Sequence, residues 1–321
     1  MYRIGIDLGG TNIAAGIVNE NFEIVSKASI PTGAERPANE IAADMAAICH
    51  TVCEQAGIDP SEIASVGIAS PGIANHDQGI IEYCCNIPSF SKFAVCEAVK
   101  AGFPTEHVFV ENDANAAAWG EVVAGSAKGT QDSIMITLGT GVGGGIIIGG
   151  KVISGFNYAG AELGHIVIEV DGAQCGCGRK GCWEAYSSAT ALIRMTREKI
   201  AECEAQGRKT LMTEIAEKAG KVSGRTAFDA KRAGDEAGAE VVEKYVHYLA
   251  QGLANIVNIF QPEVLSIGGG ISNEGDYLLD MVVPMVRAEV YGQGIVKGTD
   301  IRIATLRNDA GIIGGAVLGL K

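Results

Sequence analysis

The chain is short of positive charge and of long apolar runs, and we find no export signal. Its 321 residues include 25 Lys and Arg against 38 Asp and Glu, so the net charge is −13. That balance is the opposite of a surface built to neutralise nucleic-acid phosphates or to bind an anionic membrane. No run approaches the ~18–20 apolar residues of a membrane-spanning helix. Asp7 interrupts the N-terminal apolar segment, which argues against a secretory signal.

What is present is typical of a folded protein. Hydrophobic residues make up 47% and charged residues 20%, values that exclude bulk disorder. The length predicts about two domains, and 44 glycines spread along the chain indicate many tight turns. Without an export signal, we expect a cytoplasmic protein with reduced thiols. The nine cysteines are Cys49, Cys53, Cys84, Cys85, Cys96, Cys175, Cys177, Cys182 and Cys203.

An internal repeat suggests that the chain contains a duplicated α/β domain. Residues 4–18 (IGIDLGGTNIAAGIV) and residues 134–148 (IMITLGTGVGGGIII) both contain an apolar strand, a Gly/Thr turn and a second apolar strand. Each segment therefore predicts a β-hairpin. A weaker similarity relates residues 65–73 to residues 264–272. We place the boundary between the two domains near residues 120–133.

Two other stretches have clear local patterns. Ile41, Met45, Ile48 and Val52 recur at helical spacing before Gly57, which predicts a helix that ends at this glycine. The apolar segment HVFVEN (107–112) predicts a buried strand, and DANAAAWGE predicts a helix directly after it.

The first hairpin has the composition of a phosphate-binding turn. Gly9 and Gly10 allow backbone N–H groups to approach an anion, and Thr11 and Asn12 add polar side chains. Asp7 stands at the end of the strand, where a carboxylate could hold Mg²⁺ beside phosphate oxygens. The alternative is a simple glycine turn without a ligand.

The second hairpin offers a similar turn in LGTGVGGG. It matches the dinucleotide-binding pattern G-x-G-x-x-G, but that pattern should open a helix. Here Gly145 leads into the apolar residues 146–148, so we reject the dinucleotide interpretation and retain phosphate binding. The candidate residues are Gly139, Thr140 and Gly141.

A cysteine cluster predicts a metal site. Cys175, Cys177 and Cys182 supply three thiolates, and His165 could supply an imidazole, which together form the ligand set of a structural Zn²⁺ site. A disulfide between Cys175 and Cys177 would be strained at this spacing. The alternative is three unliganded thiols.

Asp113 follows the predicted strand and opens the predicted helix, so it has two interpretations. It could be a helix N-cap, or a general base at the carboxyl end of a strand, where α/β folds place their sites. Asn112 could hold a hydroxyl group beside the one that reacts. Glu162 and Glu184 flank the cysteine cluster and could accept hydrogen bonds from sugar hydroxyls, although single carboxylates are more often surface charges.

Several motifs together resemble the ROK family of bacterial sugar kinases and repressors. They are DLGGTN, SPG (70–72), ENDANAAA, LGTGVGGG, ELGH (162–165) and CGCGRKGCWE (175–184). The resemblance implies a two-lobed, actin-like (ribonuclease-H-like) α/β fold with ATP and sugar between the lobes. It implies a first lobe over residues 1–120, to which a helix at about 306–321 returns, and a second lobe over 121–305.

The resemblance also assigns roles to individual residues. Asp113 becomes the general base, and His165 would use one ring nitrogen for zinc and the other for the sugar. Phe90 stands near a position where the family usually carries Trp in the wall of the sugar pocket. Gly268, Gly269 and Gly270 would line the adenine and ribose side. The implied sugar-binding residues are Gly72, Asn86, Asn112, Asp113, Glu162, His165 and Glu184.

These assignments imply ATP-dependent phosphorylation of glucose at the 6-hydroxyl, with Mg²⁺, a structural Zn²⁺ and a homodimer or homotetramer. Alternatives are a kinase for another hexose (N-acetylmannosamine, fructose, mannose or N-acetylglucosamine), a non-catalytic sugar-binding regulator, and an actin-like ATPase without a sugar substrate. A repressor of this family would carry a basic helix-turn-helix domain ahead of the first hairpin, whose strand begins here at Ile4.

Overall fold

The computed structural model describes residues 1–320, which form twelve strands and ten α-helices. The strands are β1 (Tyr2–Leu8), β2 (Asn12–Val18), β3 (Ile24–Pro31), β4 (Ile63–Ser70), β5 (Ile73–Asn75), β6 (Ile80–Tyr83), β7 (Val108–Asn112), β8 (Ser133–Leu138), β9 (Val142–Ile148), β10 (Lys151–Val152), β11 (Val264–Gly268) and β12 (Asp300–Ile303). The helices are α1 (Ala38–Ala56), α2 (Val95–Lys100), α3 (Asp113–Ala124), α4 (Glu184–Ser187), α5 (Ala189–Ala205), α6 (Leu211–Ala219), α7 (Thr226–Arg232), α8 (Glu236–Phe260), α9 (Asp276–Glu289) and α10 (Ala310–Ala316). Among the helices of residues 1–320, none combines the length and the apolarity needed to cross a membrane.

Two five-stranded sheets repeat one topology. The first has the order β3-β2-β1-β4-β7 and the second the order β10-β9-β8-β11-β12. In the first sheet β1 and β2 are antiparallel, with Leu8 opposite Ile13, and β4 is parallel to both β1 and β7. In the second sheet β10 is antiparallel to β9, and β11 is parallel to β12. The repeated order of strands agrees with a duplicated domain.

The chain divides into two compact units. Unit 1 contains Met1–Met135, Gly145–Ala161 and the segment from Ala304 onward, and unit 2 contains Ile136–Gly144 and Glu162–Ile303. This division differs from the sequence-based lobes, because residues 121–135 and 145–161 belong to unit 1. A boundary at residue 120 would cut α3, which continues to Ala124.

In unit 1, α10 packs on its neighbours with direct backbone contact. A Cβ added to Gly5 of β1 would lie 1.7 Å from the Ile312 carbonyl oxygen, and one added to Gly67 of β4 would lie 1.9 Å from that of Gly315. A Cβ on Gly314 would lie 2.0 Å from the Ala116 oxygen of α3. Since these separations are far below van der Waals contact, only glycine fits, and α10 is held against β1, β4 and α3.

Helix α1 covers the first sheet as its apolar spacing predicts. Ile41, Met45, Ile48 and Val52 are all buried in the core of unit 1. The helix ends at Gly57, whose φ of 67° is left-handed, a conformation that costs glycine little.

Candidate active site

Asn112, and not Asp113, caps helix α3. The Asn112 Oδ1 accepts hydrogen bonds from the N–H groups of Ala114 and Asn115, at 3.0 and 3.2 Å. Asp113 is the first residue of the helix, and its Oδ1 accepts a bond from the Ala114 N–H at 2.8 Å. The N-cap interpretation of Asp113 is therefore wrong, and capping does not account for the aspartate at this strand end.

Asn112 also fixes the SPG segment in unit 1. Its Nδ2 donates to the Gly72 carbonyl oxygen at 3.0 Å. Gly72 has a φ of 90°, and a Cβ there would lie 2.1 Å from the Tyr83 carbonyl oxygen. Both residues thus have structural contacts, and an amide nitrogen has a second hydrogen that could reach a ligand.

Asp7 lies close enough to Asp113 for their charges to interact. Burial, and secondarily the charge of Asp113, raises the pKa of Asp7 to about 6. Gly311 of α10 lies directly against this carboxyl group, since an added Cβ would be 2.5 Å from the Asp7 Cγ. Asp7 lies near the end of β1, where its carboxylate is a suitable oxygen donor for a divalent cation.

We predict that Asp7→Asn raises the melting temperature of the protein without Mg²⁺ at pH 8. Because the pKa of Asp7 is higher in the folded than in the unfolded state, Asp7 contributes stability that is fully present below pH 3.8. This contribution is lost as the pH rises through about 6. Above that pH the ionised Asp7 costs up to about 3 kcal/mol, because each pKa unit is worth about 1.4 kcal/mol. The increase in melting temperature should therefore be smaller at pH 4. Thermal melts at both pH values measure the increase, with Asp276→Asn as control. An unchanged or lower melting temperature of Asp7→Asn at pH 8 would contradict the prediction.

The first glycine turn and the Asn86 segment are neighbours in unit 1. The Gly9 N–H donates to the Asn12 carbonyl oxygen at 2.9 Å and closes the turn around Gly10 and Thr11. A Cβ on Gly10 would lie 3.6 Å from the Asn86 Cβ. The structure therefore brings a predicted phosphate-binding turn beside a predicted sugar-binding residue.

Phe90 belongs to the core of unit 1. Its side chain is fully buried and packs against Phe93, with ring centroids 5.1 Å apart.

The second glycine turn lies in unit 2 and is held by Glu184. One oxygen of Glu184, Oε2, accepts a hydrogen bond from the Val142 N–H at 3.0 Å. A Cβ on Gly141 would lie 2.3 Å from the same oxygen. The other oxygen accepts a bond from Cys175 Sγ at 3.4 Å. Glu184 thus joins this turn to the cysteine cluster.

Other segments of unit 2 pack around the same turn. The Gly139 oxygen accepts a bond from the Ala189 N–H at 2.8 Å, and the Thr140 oxygen accepts one from Thr190 Oγ1 at 2.8 Å. Gly269 has a φ of 83°, and a Cβ added to it would lie 2.5 Å from the Leu138 carbonyl oxygen. The Gly268–Gly270 segment therefore lies beside the hairpin that carries Gly139–Gly141.

The predicted metal ligands come together in unit 2. Ligand atoms of His165, Cys175, Cys177 and Cys182 all lie within 4.8 Å of one another. The Sγ atoms of Cys177 and Cys182 are 3.6 Å apart, and Cys175 Sγ is 3.8 Å from His165 Nδ1. A tetrahedral zinc ion with Zn–S bonds of about 2.3 Å separates its sulfur ligands by roughly 3.8 Å. The donor set and its spacing therefore fit zinc, with Nδ1 as the nitrogen nearest the thiolates.

Glu162 lies just before the turn that carries His165, a predicted ligand of the metal cluster. Its carbonyl oxygen accepts the His165 N–H at 3.0 Å in a single 3₁₀ turn, Leu163–His165. Gly164 within this turn lies against Val142, since an added Cβ would be 2.2 Å from the Val142 oxygen. The ELGH motif therefore packs on the second hairpin, and Glu162 itself is exposed.

Two of these contacts were not predicted from the sequence. Gly311 lies against Asp7, and Glu184 binds the Val142 N–H. The glycine run in AGIIGGA is a sign of close backbone packing, but it does not reveal the partner. The position of Glu184 beside the cysteines predicted a role, though not contact with the second glycine turn.

A sequence model of the ROK family matches residues 3–321, and the chain belongs to the ROK family. It is similar to the glucokinase of Thermotoga maritima, 35% identical over 313 residues that cover 98% of this chain and 95% of that protein. Its structure is similar to a ROK family glucokinase from Streptomyces griseus in complex with glucose and AMPPNP, with a TM-score of 0.82, 34% identity and 99% of each chain covered. It is also similar to a ROK hexokinase from Thermus thermophilus, with a TM-score of 0.80, 31% identity and 99% and 97% coverage. The predicted actin-like α/β fold is confirmed.

Proposed function

We propose that this protein transfers the γ-phosphoryl group of ATP to the 6-hydroxyl of glucose, with Asp113 as general base. The observation that carries the proposal is that Asp7, near the carboxyl end of β1, and Asp113, directly after the carboxyl end of β7, lie on the same edge of the parallel strands β1, β4 and β7. The contribution of the Asp113 charge to the raised pKa of Asp7 agrees with this placement. A group that accepts a proton thus lies beside a turn suited to phosphate. The similarity to glucokinases over nearly the whole chain supports glucose as the acceptor.

The proposed reaction is an in-line displacement. A carboxylate oxygen of Asp113 takes the proton of the 6-hydroxyl, whose oxygen forms a bond to the γ-phosphorus. The bond from that phosphorus to the β,γ-bridging oxygen breaks, and ADP leaves with the electron pair. Positioning and charge stabilisation supply most of the acceleration in such transfers.

We further propose that both glycine turns hold the phosphate groups. In the first turn the residues are Gly9, Gly10, Thr11 and Asn12, and Asp7 would hold Mg²⁺, which neutralises phosphate charge when bound. In the second turn Gly139, Thr140 and Gly141 would contact phosphate, while Gly268, Gly269 and Gly270 would contact the adenosine.

The residues proposed to bind the sugar are Asn86, Asn112 and the Gly72 segment, together with Glu162, His165 and Glu184. Zinc would be held by Cys175, Cys177, Cys182 and His165 Nδ1. It would stabilise the folded form of the loop that carries the three cysteines. The His165 Nε2 could then donate to a sugar hydroxyl.

A coupled ADP-release assay with Mg-ATP tests the proposal. The acceptors are glucose, mannose, fructose, N-acetylglucosamine and N-acetylmannosamine. We expect the highest kcat/KM for glucose. Higher turnover of another hexose would keep the phosphotransfer and replace the acceptor, whereas sugar-independent ATP hydrolysis, or no turnover by folded protein, would overturn the proposed function.

Two predictions concern the whole protein in its cell. We propose that the protein forms a homodimer or homotetramer, and light scattering measures the mass of the particle in solution. We also propose a cytoplasmic enzyme, since nine free cysteines, among them the candidate zinc ligands, suit a reducing compartment.

A further inference from the structure

Thr32 contacts both sides of the first glycine turn. It follows β3, and its side chain is fully buried although it is polar. Its Oγ1 donates a hydrogen bond to the Gly9 carbonyl oxygen at 2.6 Å. Its backbone N–H donates to the Thr11 carbonyl oxygen at 2.9 Å. A single residue therefore binds two carbonyl groups of the turn that runs from Gly9 to Asn12.

These bonds set the direction of two N–H groups. In a planar trans peptide the C=O and the next N–H point in opposite directions. The Gly9 oxygen faces Thr32, so the N–H of Gly10, which belongs to the same peptide, faces away from Thr32. The Thr11 oxygen also faces Thr32, so the N–H of Asn12 likewise faces away. The glycine peptide is the one that most easily rotates, so the hydroxyl of Thr32 selects its orientation.

Thr32 is itself held in place from its other side. The Arg36 Nη2 donates to the Thr32 carbonyl oxygen at 2.8 Å, and the same nitrogen pairs with Asp44 of α1 at 2.5 Å. The Arg36 carbonyl oxygen accepts a bond from Ser89 Oγ at 2.9 Å. Thr32 is thus connected through Arg36 to α1 and to the segment that follows Asn86, and these bonds hold its backbone in place.

We infer that Thr32 is a positioning residue for the nucleotide phosphates, which turns the N–H groups of Gly10 and Asn12 toward the anion. The inference rests on the proposed function and deepens it. Without the hydroxyl, the Gly9 oxygen loses its buried partner and the Gly9–Gly10 peptide is free to rotate. Anion binding at the turn then weakens, although Thr32 touches no substrate.

The test compares Thr32→Val, which keeps the shape, with Thr32→Ser, which keeps the hydroxyl. We expect Thr32→Val to lower kcat/KM for ATP about tenfold, since a lost buried hydrogen bond is worth about a factor of ten. The KM for glucose should change less than about twofold, and Thr32→Ser should restore the ATP value. Thr51→Val is the matched control, because Thr51 donates a similar bond to the Ala47 oxygen on the exposed face of helix α1.

Calorimetric binding of ADP to the same variants gives a readout that does not depend on turnover. We expect Thr32→Val to weaken ADP by a similar factor, and Thr32→Ala serves in its place if the valine variant does not fold. Wild-type ATP kinetics and ADP affinity in Thr32→Val, or equal losses in the serine and valine variants, would overturn the inference. Absence of sugar-dependent turnover in the wild type would instead overturn the proposed function, and ADP binding would still decide the role of Thr32.

Discussion

Asp113→Asn should lower kcat by about 10²–10⁴-fold, the usual contribution of a general base. In the wild type the Ala114 N–H donates to the Asp113 Oδ1. The amide of asparagine has nearly the shape of the carboxylate, and its oxygen can accept the same bond. The fold, the zinc content and the KM values should therefore remain close to those of the wild type. Steady-state kinetics with saturating glucose and Mg-ATP measure the effect.

Asp276→Asn is the matched control for this experiment. Asp276 is also the first residue of a helix, α9, and is exposed, so its substitution reports the effect of charge at a helix start alone. Because the charge of Asp113 helps to raise the pKa of Asp7, Asp113→Asn should also lower that pKa toward its usual value. Turnover at the wild-type rate in Asp113→Asn would remove Asp113 from the role of base.

Cys177→Ala should abolish zinc binding and weaken the sugar site. The thiol is exposed, so its removal leaves no core cavity, and its Sγ is 3.6 Å from that of Cys182. Loss of one ligand should reduce metal affinity by more than the roughly 10–100-fold seen when only an outer partner is removed. Since His165 and Glu184 both contact Cys175, the KM for glucose should rise at least about tenfold.

Metal analysis after gel filtration, together with the glucose KM, measures this outcome. Cys85→Ala is the control for the metal analysis alone, because Cys85 is an exposed thiol outside the cluster but its Sγ donates to the Asn86 Oδ1 at 3.3 Å. We expect about one zinc ion per chain in the wild type and in the control. Wild-type protein free of zinc would remove the metal site and the role proposed for the His165 Nδ1.

Features with a short-range cause were predicted well from the sequence. Apolar alternation on either side of DLGGTN fixes the β1–β2 hairpin, and helical spacing followed by Gly57 fixes α1. The three cysteines lie within eight residues, so their convergence requires only one folded loop. In each case the residues that determine the structure are neighbours along the chain.

Several contacts between distant segments were not predicted. The bond from Thr32 to Gly9 joins the end of β3 to the first turn, and Gly311 reaches Asp7 from the far end of the sequence. A threonine after a strand is common and carries no local signal, and the glycine run that contains Gly311 indicates close packing without identifying its partner. The burial of Phe90 likewise depends on how its segment packs, which the spacing of residues does not determine.

The packing of α10 on unit 1 has a consequence for the synthesis of the chain. Strands β1 and β4 and helix α3 are made early, whereas α10 follows the whole of unit 2 in chain order. A nascent chain therefore exposes the glycine-lined surface of unit 1 until the ribosome has passed unit 2. Any product that stops before Ala310 also lacks the glycine that covers Asp7. Unit 1 can therefore complete its fold only after unit 2 has been synthesised, although its sequence begins first.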